Sequence, residues 1–238
     1  SDGSARFFGF QSDSSKDNET NYADKEYGFT GHVGYDITKN LQIVFGERIK
    51  RVEIGKGAIT SLPSIKERYT KDEVPGINGF TAHVQKLALI YSTLDSRDMP
   101  TSGIYAKTSI ECSWKAFGSS EDYRHYEAEV KGYLPLDNGR YISVGRIVYN
   151  QTLGGNVPFL ERSILGGENT LRGYGRNRFI DSSYLLLNLE ERIRLFRWSI
   201  FNVSTDWELA PFIDFGAVME SLDKAETGSF EFNPSPAS

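Results

Sequence analysis

Between Ile104 and Ala116 the chain alternates at a strict period of two. Ile104, Ala106, Thr108, Ile110, Cys112, Trp114 and Ala116 fall on one side, and Tyr105, Lys107, Ser109, Glu111, Ser113 and Lys115 on the other. Successive side chains of a β-strand point to opposite faces, whereas a helix would scatter both sets around its circumference. The next segment repeats the design, with Tyr126, Ala128, Val130, Gly132 and Leu134 opposed by His125, Glu127, Glu129, Lys131 and Tyr133. Two successive strands, each with one apolar and one polar face, set the class as all-β.

Less regular alternation marks Tyr27–Asp36, Leu41–Ile54, Phe80–Thr93, Arg140–Asn150, Tyr184–Leu195 and Trp207–Met219, which makes about eight strands in all. The polar phase slips at Gln85-Lys86, read as a bulge, and Arg146 interrupts the pattern of its own strand. A strand of ~10 residues rising ~3.4 Å each and tilted ~45° covers about 24 Å, the height of the apolar band of an outer-membrane barrel. Strands of soluble proteins average nearer ~5–6 residues, so this succession favours a barrel wall.

Connection lengths carry an independent signal. Asp36–Asn40, Asp95–Gly103, Leu136–Gly139 and Phe196–Ser204 read as short turns, and between them lie the longer Gln11–Asn21, Gly55–Gly79, Phe117–Asp122 and Leu153–Ser183. In an up-and-down meander this sorts short turns to one rim and long loops to the other, the habit of transmembrane barrels. The longest aliphatic run, Leu185-Leu186-Leu187, is far short of the ~20 apolar residues of a spanning helix. Any membrane crossing must therefore be made by strands.

Composition closes other routes. Lys+Arg of 27 against Asp+Glu of 32 gives a net charge of -5, which disfavours a nucleic-acid surface. One cysteine, Cys112, cannot make an internal disulfide, and His32, His83 and His125 sit singly in different strands, so neither a metal nor a cofactor is expected. No Gly-x-Ser-x-Gly is present, and the segment is not read as an enzyme. The glycines of Gly166-Gly167-Glu168-Asn169-Thr170-Leu171-Arg172-Gly173-Tyr174-Gly175 match neither a Walker loop nor a dinucleotide fingerprint.

That loop, with Leu-Arg-Gly-Tyr following a Gly-Gly inside a long barrel connection, resembles the BamA/TamA-type bacterial surface antigen superfamily. Asp95-Ser96-Arg97-Asp98-Met99-Pro100 before Gly103 is similar to the family's periplasmic turn, with Ser and Met at positions where Thr and Asn are commoner. Arg6-Phe7-Phe8-Gly9-Phe10 and Phe212-Ile213-Asp214-Phe215-Gly216 look like further segments of such barrels. The resemblance implies a loop (Gly166, Gly167, Leu171, Arg172, Gly173, Tyr174) folded back into the lumen, with Arg172 pairing to Glu190 and Asp214 and with Gly173 permitting the turn. Parity agrees: Leu185, Leu187, Leu189, Ile193 and Leu195 on one face leave Asn188, Glu190, Arg192 and Arg194 inward, and Ile213, Phe215 and Ala217 leave Asp214 inward. Asp95, Arg97, Asp98, Pro100 and Gly103 would make the periplasmic turn, with charge pairing along the rim.

The expectation is one domain, residues 1–238, of an antiparallel up-and-down transmembrane β-barrel, incomplete at both ends relative to the family's about sixteen strands. Strands beyond Met219 are expected to be missing, since Glu220–Ser238 lacks the family's terminal pattern. Its place would be a Gram-negative outer membrane, its partners outer-membrane lipid and a client outer-membrane or secreted protein, and its role insertion or translocation of proteins. Two alternatives stand beside it: a barrel that exports or anchors an attached enzyme, and a soluble ligand-binding barrel, which would invert the faces and carry an apolar interior.

Overall fold

A computed structural model describes residues 5–10, 14–200 and 203–219. The chain forms β1 (Ala5–Phe7), β2 (Thr20–Thr38), β3 (Leu41–Lys56), the one-turn helix α1 (Ile65–Arg68), β4 (Phe80–Ser92), β5 (Gly103–Ser113), β6 (Tyr123–Leu136), β7 (Tyr141–Leu153), β8 (Ser163–Leu165), β9 (Phe179–Asp181), β10 (Ser183–Ile200), β11 (Val203–Leu209) and β12 (Phe212–Met219). Strands β1 to β7, β10 and β11 follow one another in a single sheet, β12 also pairs with β10, and β8 and β9 form a separate small ribbon. Every named pairing is antiparallel, and the sheet is open among the described residues. Such a wall is part of a barrel rather than a closed one.

The two faces have different chemistry. Tyr35, Ile43, Leu89, Thr108, Ala128, Tyr149, Leu185 and Ala217 are successive register partners around the wall, all on its outer face. Phe29, Val33 and Tyr35 on that face are more than 70% exposed, a display that water would penalise and lipid would not. The inner face carries Lys86–Glu111 at 2.7 Å, Lys107–Glu127 at 2.5 Å and Arg146–Glu129 at 2.6 Å. A soluble barrel holding an apolar ligand needs the opposite distribution.

Toward the long-loop rim the inner face turns apolar, because loops fold onto it. Tyr22, Val52, Phe80 and Val84 from the wall pack with Ile65, Val74 and Ile77 of the β3–β4 connection and Val157 and Phe159 of the β7–β10 connection. Phe7 lies in the same cluster, so the Arg6–Phe10 segment supplies the short strand β1, paired to Thr20–Tyr22. Asn21 fastens the β3–β4 connection by donating its amide to the carbonyls of Leu62 at 2.9 Å and Ile59 at 3.1 Å.

This cluster explains one departure from expectation. The register of β4 runs unbroken through Gln85 and Lys86 against both neighbours, so there is no bulge. The phase slips because the buried apolar set changes sides: Phe80, Ala82 and Val84 face the folded-in loops, while Leu87, Leu89 and Tyr91 face outward. Arg146 is likewise in regular register with Lys131 and Asn188, pointing inward.

The last expected strand is two. β12 pairs with Ser183–Glu190 and β11 with Ile193–Ile200, separated at Ala210-Pro211, where proline has no N–H for the ladder. β10 answers with a register shift between Arg194 and Phe196. The segment Phe196–Ser204, expected as a turn, is therefore mostly ladder, with Phe196 opposite Trp207 and Ile200 opposite Val203. The expected end at Glu220–Ser238 lies outside the described residues.

Candidate functional site

The connection between β7 and β10 returns along the inner face and brings Leu171 and Arg172 onto β10 and β12. Its two ends meet in the β8–β9 ribbon. Gly166 (φ +112°) and Gly167 (φ +104°) start the turn in the left-handed region, and a Cβ on Gly166 would sit 2.4 Å from the Gly175 carbonyl oxygen. Only glycine allows that approach. The turn closes with the Gly167 N–H donating to Tyr174 O at 3.0 Å and the Gly166 N–H to Thr170 Oγ1 at 2.9 Å. Gly173, expected to permit the turn, has no positive φ and open space around it, so the conformational demand falls on Gly166 and Gly167 instead.

Arg172 reaches two acids. Its Nη2 donates to Asp214 Oδ1 at 2.8 Å, its Nε to Asp214 Oδ2 at 3.0 Å and its Nη1 to Glu190 Oε2 at 2.6 Å. The backbone N–H of Arg172 also donates to Asp214 Oδ2 at 3.0 Å. The paired bonds to Asp214 use the guanidinium fork in the way a lysine could not. Phe212 lies under the guanidinium, 3.6 Å from carbon to ring centroid, a cation–π contact that also shields one face from water.

Leu171 is buried beside Arg172, and Gly216 makes room for it: a Cβ on Gly216 would meet Leu171 Cδ2 at 3.0 Å and Leu165 Cδ1 at 3.2 Å. Tyr174 is partly exposed and packs edge-on against Phe179.

Several members of the site carry no signal in the loop motif itself. Asn188 Nδ2 donates to Asp214 Oδ1 at 2.7 Å and to Thr170 O at 2.9 Å. Arg146 donates to Asn169 O at 2.7 Å and to Asn188 Oδ1 at 3.3 Å, while Glu129 holds it from the other side. Arg192 holds the second oxygen of Glu190 at 2.9 Å. Inward parity alone could have nominated Asn188 and Arg192, and the interruption at Arg146 was a further clue.

At the opposite rim, Asp95 organises the β4–β5 turn. Its carboxylate accepts from the Thr101 hydroxyl at 2.6 Å and from the N–H groups of Thr101 at 2.9 Å and Ser102 at 3.0 Å. The Thr101 hydroxyl, with those two N–H groups, holds the Asp95 carboxyl well below the usual carboxylate range. Gly103 (φ +105°) ends the turn, where a Cβ would lie 2.4 Å from the Thr93 carbonyl oxygen. Pro100 is buried, and its carbonyl accepts from Arg192 at 3.4 Å. Arg97 and Asp98 are exposed, and no ion pair of either is found among the described residues, so the expected rim charge pairing is not formed there. A turn built on one carboxylate does not need it.

No group of histidine, cysteine and acidic residues suited to a metal occurs among the described residues. The arrangement can grip the loop and orient it against the wall.

An antiparallel wall, apolar outside and charged inside, with a loop fastened to its inner face by an arginine, defines a transmembrane barrel of the outer-membrane kind. Residues 2–235 match the model of the Omp85 superfamily domain, and the chain belongs to that superfamily. It is 26% identical over 222 residues to the outer membrane protein assembly factor BamA of Nitratidesulfovibrio vulgaris, covering 87% of this chain and 25% of that protein. It resembles the crystal structure of BamA from Haemophilus ducreyi lacking POTRA domains 1–3, with a TM-score of 0.63 at 18% identity, over 90% of this chain and 45% of that one. The chain thus spans about a quarter of the length of the curated relative it matches. Its location is the Gram-negative outer membrane.

Proposed function

We propose that the chain is one domain of barrel wall in a machine that inserts outer-membrane proteins or passes proteins across that membrane. The loop centred on Arg172 is its working element, and lipid surrounds its outer face. The partner is a client polypeptide, and the work is mechanical rather than catalytic. The observation that carries this reading is the grip of Arg172 on Asp214 and Glu190, which holds a Gly-Gly loop inside the wall rather than leaving it in solvent. A loop held there shapes the space through which a strand or chain must be handled. The relatedness to a protein named as an outer membrane protein assembly factor supports the same reading.

The test is Arg172→Ala in the full-length protein reconstituted in lipid vesicles, scored by insertion of a client barrel protein and by protease protection of the loop. Insertion should fall several-fold as protection is lost. Unchanged insertion with lost protection would overturn the role given to the loop.

A further inference from the structure

The same loop makes a second ionic contact, of opposite polarity and with a more deeply buried loop residue. Glu161, in the turn Phe159–Glu161, has a side chain only 4% exposed. Its carboxylate accepts from Arg48 Nη2 at 2.9 Å and Nη1 at 3.3 Å, from Tyr123 Oη at 2.6 Å, and pairs with Lys50 Nζ at 2.7 Å. Arg48 also reaches Glu111 at 3.4 Å, and Lys86 holds Glu111 at 2.7 Å. The loop therefore sets a carboxylate on cations of β3 and a hydroxyl of β6, and sets its arginine on carboxylates of β10 and β12.

A carboxylate taken out of water needs compensation, and here two cations and a hydroxyl supply it. The bidentate Arg48 contact fixes direction as well as charge. Neighbouring bonds carry that direction into the backbone: Phe159 N–H donates to Pro75 O at 2.9 Å, and Phe159 is buried against Tyr22. The contacts of Arg172 and its neighbours fix the apex of the loop but leave its entrance to be held elsewhere. Two ionic clusters, on separate strands and with the loop supplying the acid in one and the base in the other, hold both its entrance and its apex.

We infer that Glu161 is a positioning residue, which fixes the entrance of the loop on β3 and β6 so that Arg172 meets Asp214 in one arrangement. Its importance for activity rests on the proposed role of the loop; its positioning action does not.

The experiment uses the full-length protein in vesicles with Cys112→Ser and spin labels at two cysteine pairs. Lys39→Cys with Asn156→Cys reads the loop entrance, and Lys39→Cys with Glu168→Cys reads the apex; all three positions are exposed. Glu161→Gln should broaden both distance distributions at least twofold, and Glu161→Asp should restore them. Arg172→Ala should broaden the apex pair alone. Lys50→Met and Tyr123→Phe remove one partner each and serve if Glu161→Gln does not fold; each should broaden the entrance pair. Unchanged distributions in these variants, broadening confined to the entrance in Glu161→Gln, or no rescue by Asp would overturn the inference. Should Arg172→Ala leave client insertion intact, the functional reading fails while the distances still decide the role of Glu161.

Discussion

Asn188 and Asp214 stand directly opposite each other on β10 and β12, and the Asn188 amide donates to the Asp214 carboxylate at 2.7 Å. The other hydrogen of that amide goes to Thr170 O at 2.9 Å. One side chain thus touches both the acid that receives Arg172 and the backbone that delivers it.

Asn188→Ala should release the loop partly. Hydrogen bonds to charged groups contribute about 1.5–3 kcal/mol, so amide exchange at Arg172 should quicken by roughly one order of magnitude or more. Asn188→Asp should do worse, since it sets a second carboxylate beside Asp214 in place of a donor. Hydrogen exchange of the two variants in lipid checks the order; equal protection in Asn188→Asp and the parent would contradict it.

The Gly-Gly turn offers a contrast within one motif. Gly166→Ala forces a Cβ to 2.4 Å from the Gly175 carbonyl oxygen at a φ of +112°, and should open the turn and expose the loop to protease. Gly173→Ala meets nothing within 4 Å and should change stability by no more than about 0.5 kcal/mol. Finding Gly173→Ala the more damaging would mean that residue 173 contacts something other than this chain.

On the outer wall, Leu89→Arg places a charge among Ile43 and Thr108, its register partners. If this row lies near the bilayer midplane, the cost is about 2–4 kcal/mol, read as a lower denaturant midpoint for unfolding from vesicles. Ala88→Arg, one residue along and facing inward, should cost less in lipid transfer and more in packing. A detergent-independent, lipid-insensitive midpoint for Leu89→Arg would argue against a lipid-facing row.

Acid should leave the β4–β5 turn closed until well below pH 4. The Asp95 carboxyl is held below its ordinary value of about 3.9. Its contribution is therefore complete above that value and is lost progressively as pH falls from there through the lower folded value. Amide exchange at Thr101 and Ser102, corrected for intrinsic rate between pH 7 and 2, should show protection persisting past pH 4. Loss of protection already at pH 5 would refute the assignment, and Asp95→Asn should weaken protection at neutral pH.

The sequence made the wall legible because a strand with lipid on one side and charge on the other writes its faces at alternate positions. Ile104–Ala116 is the clear example, and Glu190 and Asp214 could be placed inward from the leucines and aromatics beside them. Periodicity fails where the environment of a face changes along the strand. Phe80, Ala82 and Val84 looked like a slipped phase because the loops that bury them come from distant parts of the chain. Charge partnerships were hidden for the same reason: Arg48 and Glu161 are 113 positions apart, and only the apolar Val157-Pro158-Phe159-Leu160 run before Glu161 hinted that this acid is buried. Pro211 was visible, and should have split the final strand.

That split has a mechanical meaning. Above Pro211, β12 is laced to β10 beside Arg172; below it, β11 and the end of β10 form a two-stranded ribbon with its own register. Around the joint, the ladder gives way to a contact from Glu191 N–H to Pro211 O at 3.0 Å. Only β12 and β11 are divided there: β10 runs through the joint as one strand from Ser183 to Ile200, so the ribbon stays tied to the wall through β10 alone, and the pairing beside Arg172 is set by a ladder separate from the one at the turn-side rim.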